Sequence, residues 1–412
     1  MTQKRIHIGK QLRHSTINEV AGQYVDLDGE VFYQIANYDQ MKDFFISVVS
    51  DSNHWLFIST RGGLSAGRIN PDNALFPYYS DDKISDGSPY TGSRTIALVT
   101  SEGKTSLWEP FSEQCAGIYN ITRNLYKNVI GDKLIFEEIN HDLEVTFRYA
   151  WRTSDKFGFV KTSTLINNSA NAAYVEIVDG IENLLPYGVE PDVQNSLSCL
   201  VDAYKKNELQ ADSGVGLYTM SSILVDRAEP SEALSATTVW SVGLPNAKRL
   251  VSSIQLDNFR HGWEIEQETD VRARRGAYFI NDGINLAPKG EQTWSIVADI
   301  NQGPADVKNL IAYLAADNNI AEEIETDITL GSKNLSRIVG ISDGLQVTED
   351  KLSANHHFSN VLFNVMRGGL FVDNYEVTKD DLISFVKGFN RKVFAEFEAF
   401  FNNLDDKFHY SD

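Results

Sequence analysis

The sequence contains little cysteine, little proline and fewer basic than acidic side chains. Its 412 residues include two cysteines, Cys115 and Cys199, and ten prolines. Two cysteines cannot build a disulfide framework or a four-ligand zinc site, and a free buried thiol behaves as a small hydrophobe. We therefore expect a protein of a reducing compartment, with no metal site and no cofactor.

Long apolar runs are absent as well. Lys4 and Arg5 give the start of the chain a positive charge, but no apolar run follows them as it does in a signal peptide. No window of the sequence approaches the length needed to span a bilayer. We expect a cytoplasmic protein without a membrane partner.

Acidic residues outnumber basic residues by 57 to 37, which gives a formal net charge of −20. Coulomb repulsion from phosphate groups makes nucleic acid an unfavourable partner, whereas neutral sugars are not repelled. The 42% of hydrophobic residues, with 11% aromatic residues, can fill a large core. The length predicts about two structural units.

Between about residue 20 and residue 300, runs rich in Val, Ile, Thr, Tyr and Phe are separated by Gly, Asn, Asp and Pro, as in many-stranded antiparallel sheets. Helical periodicity is nearly absent there. Residues 143–151 form the clearest strand because alternate residues are apolar. We expect further strands over residues 157–167, 174–180, 216–226, 237–243 and 293–299. So many strands do not fit one open twisted sheet, so the sequence predicts a mainly β fold of two large facing sheets.

The periodicity changes after Asn301. A proline at the first turn and apolar residues three and four apart predict a helix from Pro304 to about Ala316. A second helix is predicted over residues 356–366, and a third from Thr378 onward, with Asp381 completing a capping box and a broad apolar band up to Phe401. We expect a sandwich domain over residues 1–300 and a helical linker segment over residues 301–412.

The stretch 60–83 combines turn-forming glycines and prolines with many planar polar side chains, and we interpret it as a long ordered loop. Sugars are bound by aromatic faces and by fixed amide, carboxylate and guanidinium groups, which this composition offers. Interface and turn-stabilising roles use the same residue types. The candidate substrate-binding residues are Arg61, Arg68, Asn70, Asp72, Asn73, Tyr78, Tyr79, Asp81, Asp82 and, further along, Arg94.

A second polar cluster lies on the predicted helix 356–366. His356, Asn360, Asn364 and Arg367 fall on one stripe, which predicts an interdomain hydrogen-bonding face or a solvated face. Neighbouring histidines on a helix point apart, so this cluster is a poor chelator.

The stretch 60–83 also carries a family resemblance. The order Gly63-Leu-Ser-Ala-Gly67, then Asn70 to Tyr79, Asp81-Asp82, Asp86 and Thr105-Ser-Leu-Trp-Glu-Pro110 resembles the N-terminal domain of glycoside hydrolase family 94, the cellobiose and chitobiose phosphorylase group. Three positions depart from the family pattern: Tyr78 replaces a tryptophan, Lys83 replaces a proline, and Glu109 separates Trp108 from Pro110. We therefore do not carry over a substrate identity.

The resemblance covers about residues 30–300 and implies a galactose-mutarotase-like supersandwich, a helical linker and an α/α six-barrel that holds the catalytic aspartate. Such a barrel needs far more residues than follow Asn301, so we expect this chain to lack it and nominate no catalytic residue. The sandwich would shape one wall of a pocket for a β-linked oligosaccharide, in its own subunit or across a homodimer. Inorganic phosphate would be a co-substrate of the full enzyme, with Arg61, Arg68 and Arg94 as candidate ligands.

Two alternatives remain open. An aldose 1-epimerase uses the same supersandwich with a histidine acid and a carboxylate base, for which His141 with Glu144 or His261 with Glu264 are candidates. Residues three apart on a strand face opposite sides, which weakens both pairs. A stand-alone carbohydrate-binding protein is the other alternative.

Overall fold

The computed structural model describes residues 5–14, 18–101, 103–222, 234–316, 319–346, 348–365 and 376–409. The chain divides into two compact units, Met1–Gly331 and Ser332–Asp412. The expected domain boundary at residue 300 stays a prediction.

The first unit is built mainly from strands that pair antiparallel. In chain order the strands are β1 (His7–Ile8), β2 (Gln11–Leu12), β3 (Ala21–Leu27), β4 (Glu30–Ala36), β5 (Phe45–Val48), β6 (His54–Ser59), β7 (Leu64–Arg68), β8 (Ala74–Phe76), β9 (Gly92–Ser101), β10 (Lys104–Trp108), β11 (Ile121–Asn128), β12 (Leu134–Asn140), β13 (Val145–Ser154), β14 (Gly158–Asn167), β15 (Ala173–Leu184), β16 (Lys205–Gln210), β17 (Val215–Met220), β18 (Ala236–Val242), β19 (Lys248–Leu250), β20 (Asp270–Arg272), β21 (Gly276–Leu286) and β22 (Glu291–Gln302).

The helices are α1 (Asp81–Asp86), α2 (Pro191–Tyr204), α3 (Leu256–Arg260), α4 (Pro304–Ala315), α5 (Ile320–Asp343), α6 (Lys351–Asn364), α7 (Lys379–Phe389), α8 (Arg391–Glu396) and α9 (Glu398–Asn403), with a short 3₁₀ helix at Tyr38–Gln40. In the second unit, β23 (Glu376–Thr378) pairs with β24 (Lys407–His409).

Among the described residues, eleven strands form one sheet in the order β20-β16-β17-β18-β22-β14-β13-β12-β11-β4-β3. It faces a second layer made of a five-stranded sheet, β10-β9-β15-β21-β19, and a four-stranded sheet, β5-β6-β7-β8. One continuous apolar core joins these three sheets. The prediction of a mainly β fold with two large facing layers of antiparallel strands is confirmed.

Alternation along β13 illustrates how the sequence specifies this core. Val145, Phe147, Tyr149 and Trp151 point into the sandwich and are each at most 3% exposed. Their neighbours on the strand point to the other side of the sheet, which is the period-two pattern that predicted the strand. Leu143 was expected to begin this strand, but it lies in the preceding turn.

A fully buried carboxylate ties the two layers together. Asp179 on β15 accepts hydrogen bonds from Lys161 Nζ (2.6 Å), the Ser163 hydroxyl (2.8 Å) and Trp294 Nε1 (2.8 Å), all on the facing sheet. Thr95 on the neighbouring strand β9 donates a fourth bond of 2.7 Å. Lys161 and Asp179 are both 0% exposed, so the cost of burying their charges is offset only because every contact is made.

The linker helices cover part of the outer face of the large sheet. Apolar residues of α4 and the first half of α5 pack on a cluster that includes Val160 and Trp240. A polar anchor lies beside it, because Arg152 donates to both carboxylate oxygens of Glu325 at 2.6 Å and Lys156 Nζ contacts Glu323 at 2.8 Å. These contacts hold the first half of α5 against the sandwich.

Three expectations about helices were wrong. The strand-rich region contains α1, α2 and α3. Helices α1 and α3 are only six and five residues long, too short for a clear periodicity, whereas Val193, Leu197 and Val201 of α2 repeat at a spacing of four that was overlooked. The stretch 60–83 is not one loop, since β7, β8 and the start of α1 lie within it. Helix α5 was not foreseen, although Ile320, Ile324 and Ile328 repeat at a spacing of four.

The expected continuous helix from Thr378 to Phe401 is instead three short helices. Asn390 adopts an extended backbone conformation after α7, and its side chain accepts hydrogen bonds from the amides of Lys392 and Val393 to begin α8. Thr378 makes no side-chain capping bond, so the expected capping box is not formed. In the described part of the chain, no helix has both the length and the apolar composition that crossing a bilayer requires.

We predict that the Lys161–Asp179 pair is strongly coupled. Lys161→Met leaves a buried carboxylate without its counter-charge and should lower the free energy of unfolding by about 3–5 kcal/mol. Asp179→Asn should cost a similar amount, whereas the double variant should cost clearly less than the sum of the two. Urea unfolding of the four proteins, followed by tryptophan fluorescence, measures this coupling, and strictly additive losses would contradict it.

Candidate functional site

The first unit contains a cavity of about 590 Å³ at one end of the sandwich. Its walls come from the residue after β2, the 3₁₀ helix and the residues after it, the turn between β6 and β7, the connection from α1 into β9, and the connection from β10 to β11. Strands β11, β12 and β13 contribute one residue each. This volume is typical of sites for small organic ligands.

The floor of the cavity is aromatic. Phe136 and Tyr149 stack with ring centroids 4.9 Å apart, and Tyr38 and Phe111 meet them edge-on at 5.9 Å and 5.2 Å. Burial raises the pKa of the Tyr38 and Tyr149 phenols well above their usual range, so both remain neutral. Because Phe136 and Tyr149 are 1% and 3% exposed and stack on each other, ring edges rather than a free ring face border the cavity. Such edges offer apolar contact to the C–H groups of a small ligand.

Phe111 is held in an unusual backbone conformation at this floor. Its φ of 63° lies in the left-handed region, which costs free energy for a residue with a large side chain. The buried carboxylate of Glu138 accepts a hydrogen bond from the Phe111 amide (2.7 Å), from Trp108 Nε1 (2.8 Å) and from Arg123 Nε (2.7 Å). Glu138 therefore fixes the shape of the cavity wall from behind.

The rim is highly charged but balanced. Among the described residues that line the cavity, four arginines accompany four carboxylates: Arg13, Arg61, Arg94, Arg123, Asp39, Asp43, Glu109 and Glu113. Most of these groups have a partner: Arg61 pairs with Asp43 and Glu113, Arg94 with Glu182, and Glu109 with Arg260. Paired charges present fixed donors and acceptors without a large net potential.

Glycine is required at one point of the rim. Gly62, in the turn between β6 and β7, has a φ of +85°, and a Cβ atom there would lie 3.1 Å from the Tyr149 hydroxyl. The Gly62 amide donates to the Ser59 carbonyl at 2.8 Å, which closes the turn. This close approach places Arg61 beside the aromatic floor.

Of the ten substrate-binding residues predicted from the sequence, Arg61 and Arg94 line this cavity. Arg68 lies elsewhere, with Nε 2.8 Å from Asp299 Oδ1 and Nη1 3.3 Å from Asn53 Oδ1. For all ten residues, ligand binding stays a prediction.

The other predicted residues of this stretch form local contacts. Asn73 donates to Asn70 at 2.7 Å, and the Tyr78 ring meets Trp55 edge-on at 5.5 Å. The hydroxyl of Ser80 donates to Asp82, and this bond lowers the pKa of that carboxyl. The remaining members of the set are Asp72 and Asp81, both exposed, and Tyr79, whose ring centroid lies 5.7 Å from Lys83 Nζ.

The second predicted cluster lies on α6, where His356, Asn360 and Asn364 are exposed. Arg367 lies outside the described residues, and the interdomain role of the cluster stays a prediction. Among the described residues, no three His, Cys, Asp or Glu side chains are placed to hold a metal ion.

The histidines considered for an epimerase do not line the cavity. His141 and Glu144 lie in the turn between β12 and β13, where His141 Nε2 is 2.8 Å from the Thr122 hydroxyl. His261 and Glu264 follow α3. Neither pair lies on a strand, so the expectation that each would face opposite sides of a sheet does not apply.

Most of the residues that line the cavity were not predicted from the sequence. Asp39, Asp43, Glu113 and Arg123 come from segments that carry no recognisable pattern. A signal existed only for Glu109, which belongs to the Trp108-Glu109-Pro110 motif but was not nominated.

Residues 371–412 match the family model of glycoside hydrolase family 149 insertion domain 1. Within this segment, β23 pairs with β24. The match supports a protein of the glycoside hydrolase type and has no bearing on family 94. No curated protein matches this chain.

Solved structures with some likeness include a bacterial glucoamylase in complex with acarbose, at 11% identity over 75% of this chain with a TM-score of 0.36. Another is a protein from Klebsiella pneumoniae assigned as an aldose 1-epimerase, at 10% identity over 73% of this chain with a TM-score of 0.32. A third is a human-microbiome protein assigned as a kojibiose phosphorylase, at 8% identity over 79% of this chain with a TM-score of 0.33. This chain spans 39%, 93% and 37% of their respective lengths. TM-scores this low carry no argument about function.

A buried histidine beside Arg68 makes stability sensitive to acid. Burial, together with the charge of Arg68, lowers the pKa of His54 to about 3. The unfolded chain would bind this proton near pH 6.5, so the contribution of His54 to stability is complete above that pH and is lost as the pH falls. Asp299 acts in the opposite direction, because burial raises its pKa to about 6 and its contribution is lost as the pH rises through that value.

We predict that His54→Gln makes stability less dependent on pH. Between pH 6.5 and pH 5 the wild-type free energy of unfolding should fall by about 2 kcal/mol more than that of the variant. Urea unfolding at both pH values measures the difference. His356→Gln, which removes an exposed imidazole, serves as the control and should behave like the wild type; equal pH slopes for His54→Gln and wild type would refute the assignment.

Proposed function

We propose that this chain is the non-catalytic sandwich and helical region of a carbohydrate-active enzyme, an inverting glycoside phosphorylase or hydrolase that acts on β-linked oligosaccharides. In this proposal the cavity of about 590 Å³ binds part of the oligosaccharide and forms one wall of the substrate path. The catalytic acid belongs to a helical barrel outside these 412 residues, so no residue here is assigned that role.

The aromatic floor beneath a balanced charged rim carries this proposal. The edges of the Phe136 and Tyr149 rings offer apolar contact, and the paired charged groups around them offer hydrogen-bond donors and acceptors for hydroxyl groups. A polyanion would find as many carboxylates as arginines, which favours a neutral ligand. The insertion-domain match of residues 371–412 agrees with an enzyme that acts on carbohydrates.

The proposal includes two more specific points: that the enzyme is related to glycoside hydrolase family 94, and that the full enzyme uses inorganic phosphate as a co-substrate. Arg61 and Arg94 reach the cavity and could contact a phosphate through nitrogens not used in their ion pairs, whereas Arg68 is paired elsewhere. A homodimer, a cytoplasmic location and the interdomain role of α6 belong to the same proposal. An epimerase acting on its own receives no support from the cavity, because its described lining includes no histidine.

The test is calorimetric titration of the 412-residue protein with a β-linked glucose pentasaccharide. Arg61→Gln removes one guanidinium from the rim and should weaken binding about tenfold, the loss of a charge-assisted hydrogen bond. The matched control is Arg272→Gln, on strand β20, whose exposed guanidinium contacts Asp270 and lines no part of the cavity. No binding by the wild type, or equal weakening by both substitutions, would overturn the proposal.

A further inference from the structure

Trp263 is the most exposed tryptophan of the chain. All six tryptophans lie among the described residues, and four of them are at most 3% exposed: Trp108, Trp151, Trp240 and Trp294. Trp55 is half-buried, whereas Trp263 is 65% exposed. Leaving so large an apolar side chain in water is unfavourable, so its position calls for a partner or a function.

The loop that carries Trp263 is held firmly. Two buried residues flank Trp263 in the sequence, Phe259 and Ile265, each 1% exposed. The Trp263 amide donates to the Asn258 carbonyl at 3.0 Å, and Lys248 Nζ donates to the Ile265 carbonyl at 2.7 Å. A ring on such a support loses little conformational entropy when a ligand binds to it.

A second set of hydrogen bonds holds the two ends of this loop together. Gln255 and Glu266 exchange two hydrogen bonds of 2.9 Å between side chain and backbone. Glu268 accepts bonds from the Val251 amide (2.9 Å) and from the Ser252 hydroxyl, whose oxygen is 3.0 Å from Oε1 and 2.9 Å from Oε2. The backbone that carries the exposed indole is therefore held in place.

The same loop is joined to the cavity. Arg260, at the end of α3, donates two hydrogen bonds to the Glu109 carboxylate, at 2.8 Å and 2.9 Å, and Glu109 lines the cavity. Trp263 is the third residue after Arg260, which corresponds to at most about 11 Å of extended chain. The loop that carries Trp263 is thus linked to the cavity wall through the Arg260–Glu109 ion pair.

Polar side chains accompany the ring. The imidazole of His261 lies 6.0 Å from the indole, measured between ring centroids, and Glu264 beside it is exposed. An aromatic face flanked by hydrogen-bonding groups is suited to a sugar, whose ring presents C–H bonds on its faces and hydroxyl groups at its edge. A protein partner would require a larger apolar patch than one indole.

We propose that Trp263 is a stacking platform for a sugar unit of a neutral oligosaccharide that extends out of the cavity. This inference rests on the proposed function, since it assumes that the cavity holds one end of the ligand. The platform would contact long ligands and leave short ones unaffected.

The experiment compares a β-linked glucose pentasaccharide with the corresponding disaccharide. Trp263→Ala should weaken calorimetric binding of the pentasaccharide about tenfold and leave disaccharide binding unchanged, because only the longer ligand reaches the ring. Phe389→Ala removes another exposed aromatic side chain, 81% exposed in α7, and serves as the matched control. Circular dichroism melts of both variants verify that they fold.

Fluorescence quenching gives an independent measurement on the wild type. Acrylamide, a neutral quencher, should reach Trp263 more readily than the buried tryptophans, and the pentasaccharide should protect that fraction while the disaccharide should not. Unchanged pentasaccharide affinity in Trp263→Ala, with normal disaccharide binding, would overturn this inference and leave the proposed function standing. Failure of the wild type to bind either sugar would overturn both.

Discussion

Asp179 and its four donors connect the two layers of the sandwich. Because Lys161, Ser163 and Trp294 belong to one layer and Asp179 to the other, these hydrogen bonds can all form only at one relative position of the sheets. Apolar packing alone tolerates small shifts, whereas a buried carboxylate does not tolerate a lost partner. The network thus sets the relative position of the two layers, and with it the position of the residues that line the cavity.

The hydrogen-bond network of Asp179 is in direct contact with the cavity. Thr95, one of the four donors to Asp179, lines the cavity, and the Lys161 ammonium lies 5.6 Å from the ring centroid of Tyr149 in the cavity floor. A second buried carboxylate, Glu138, holds the strained Phe111 from behind. Two buried acids, each with its hydrogen bonds satisfied, therefore determine the shape of the surface on which a sugar would lie.

The charged groups also explain how a chain with a net charge of −20 can offer a neutral site. Although acidic side chains exceed basic ones in the whole sequence, four arginines and four carboxylates balance among the described residues that line the cavity. The Glu109–Arg260 pair links this lining to the loop that carries Trp263. A balanced lining of this kind fits the neutral oligosaccharide proposed here.

The sequence by itself determined the two-layer β architecture, because alternation along strands such as β13 is local and each strand has one face to bury. It also located helix α4 through its proline and its apolar spacing. Only the tertiary structure decided which polar residues meet, since the cavity joins segments as distant as Asp39 and Tyr149. Ion pairs such as Arg123–Glu138 form across strands whose register no local pattern specifies, and the exposure of Trp263 depends on how the loop around it packs.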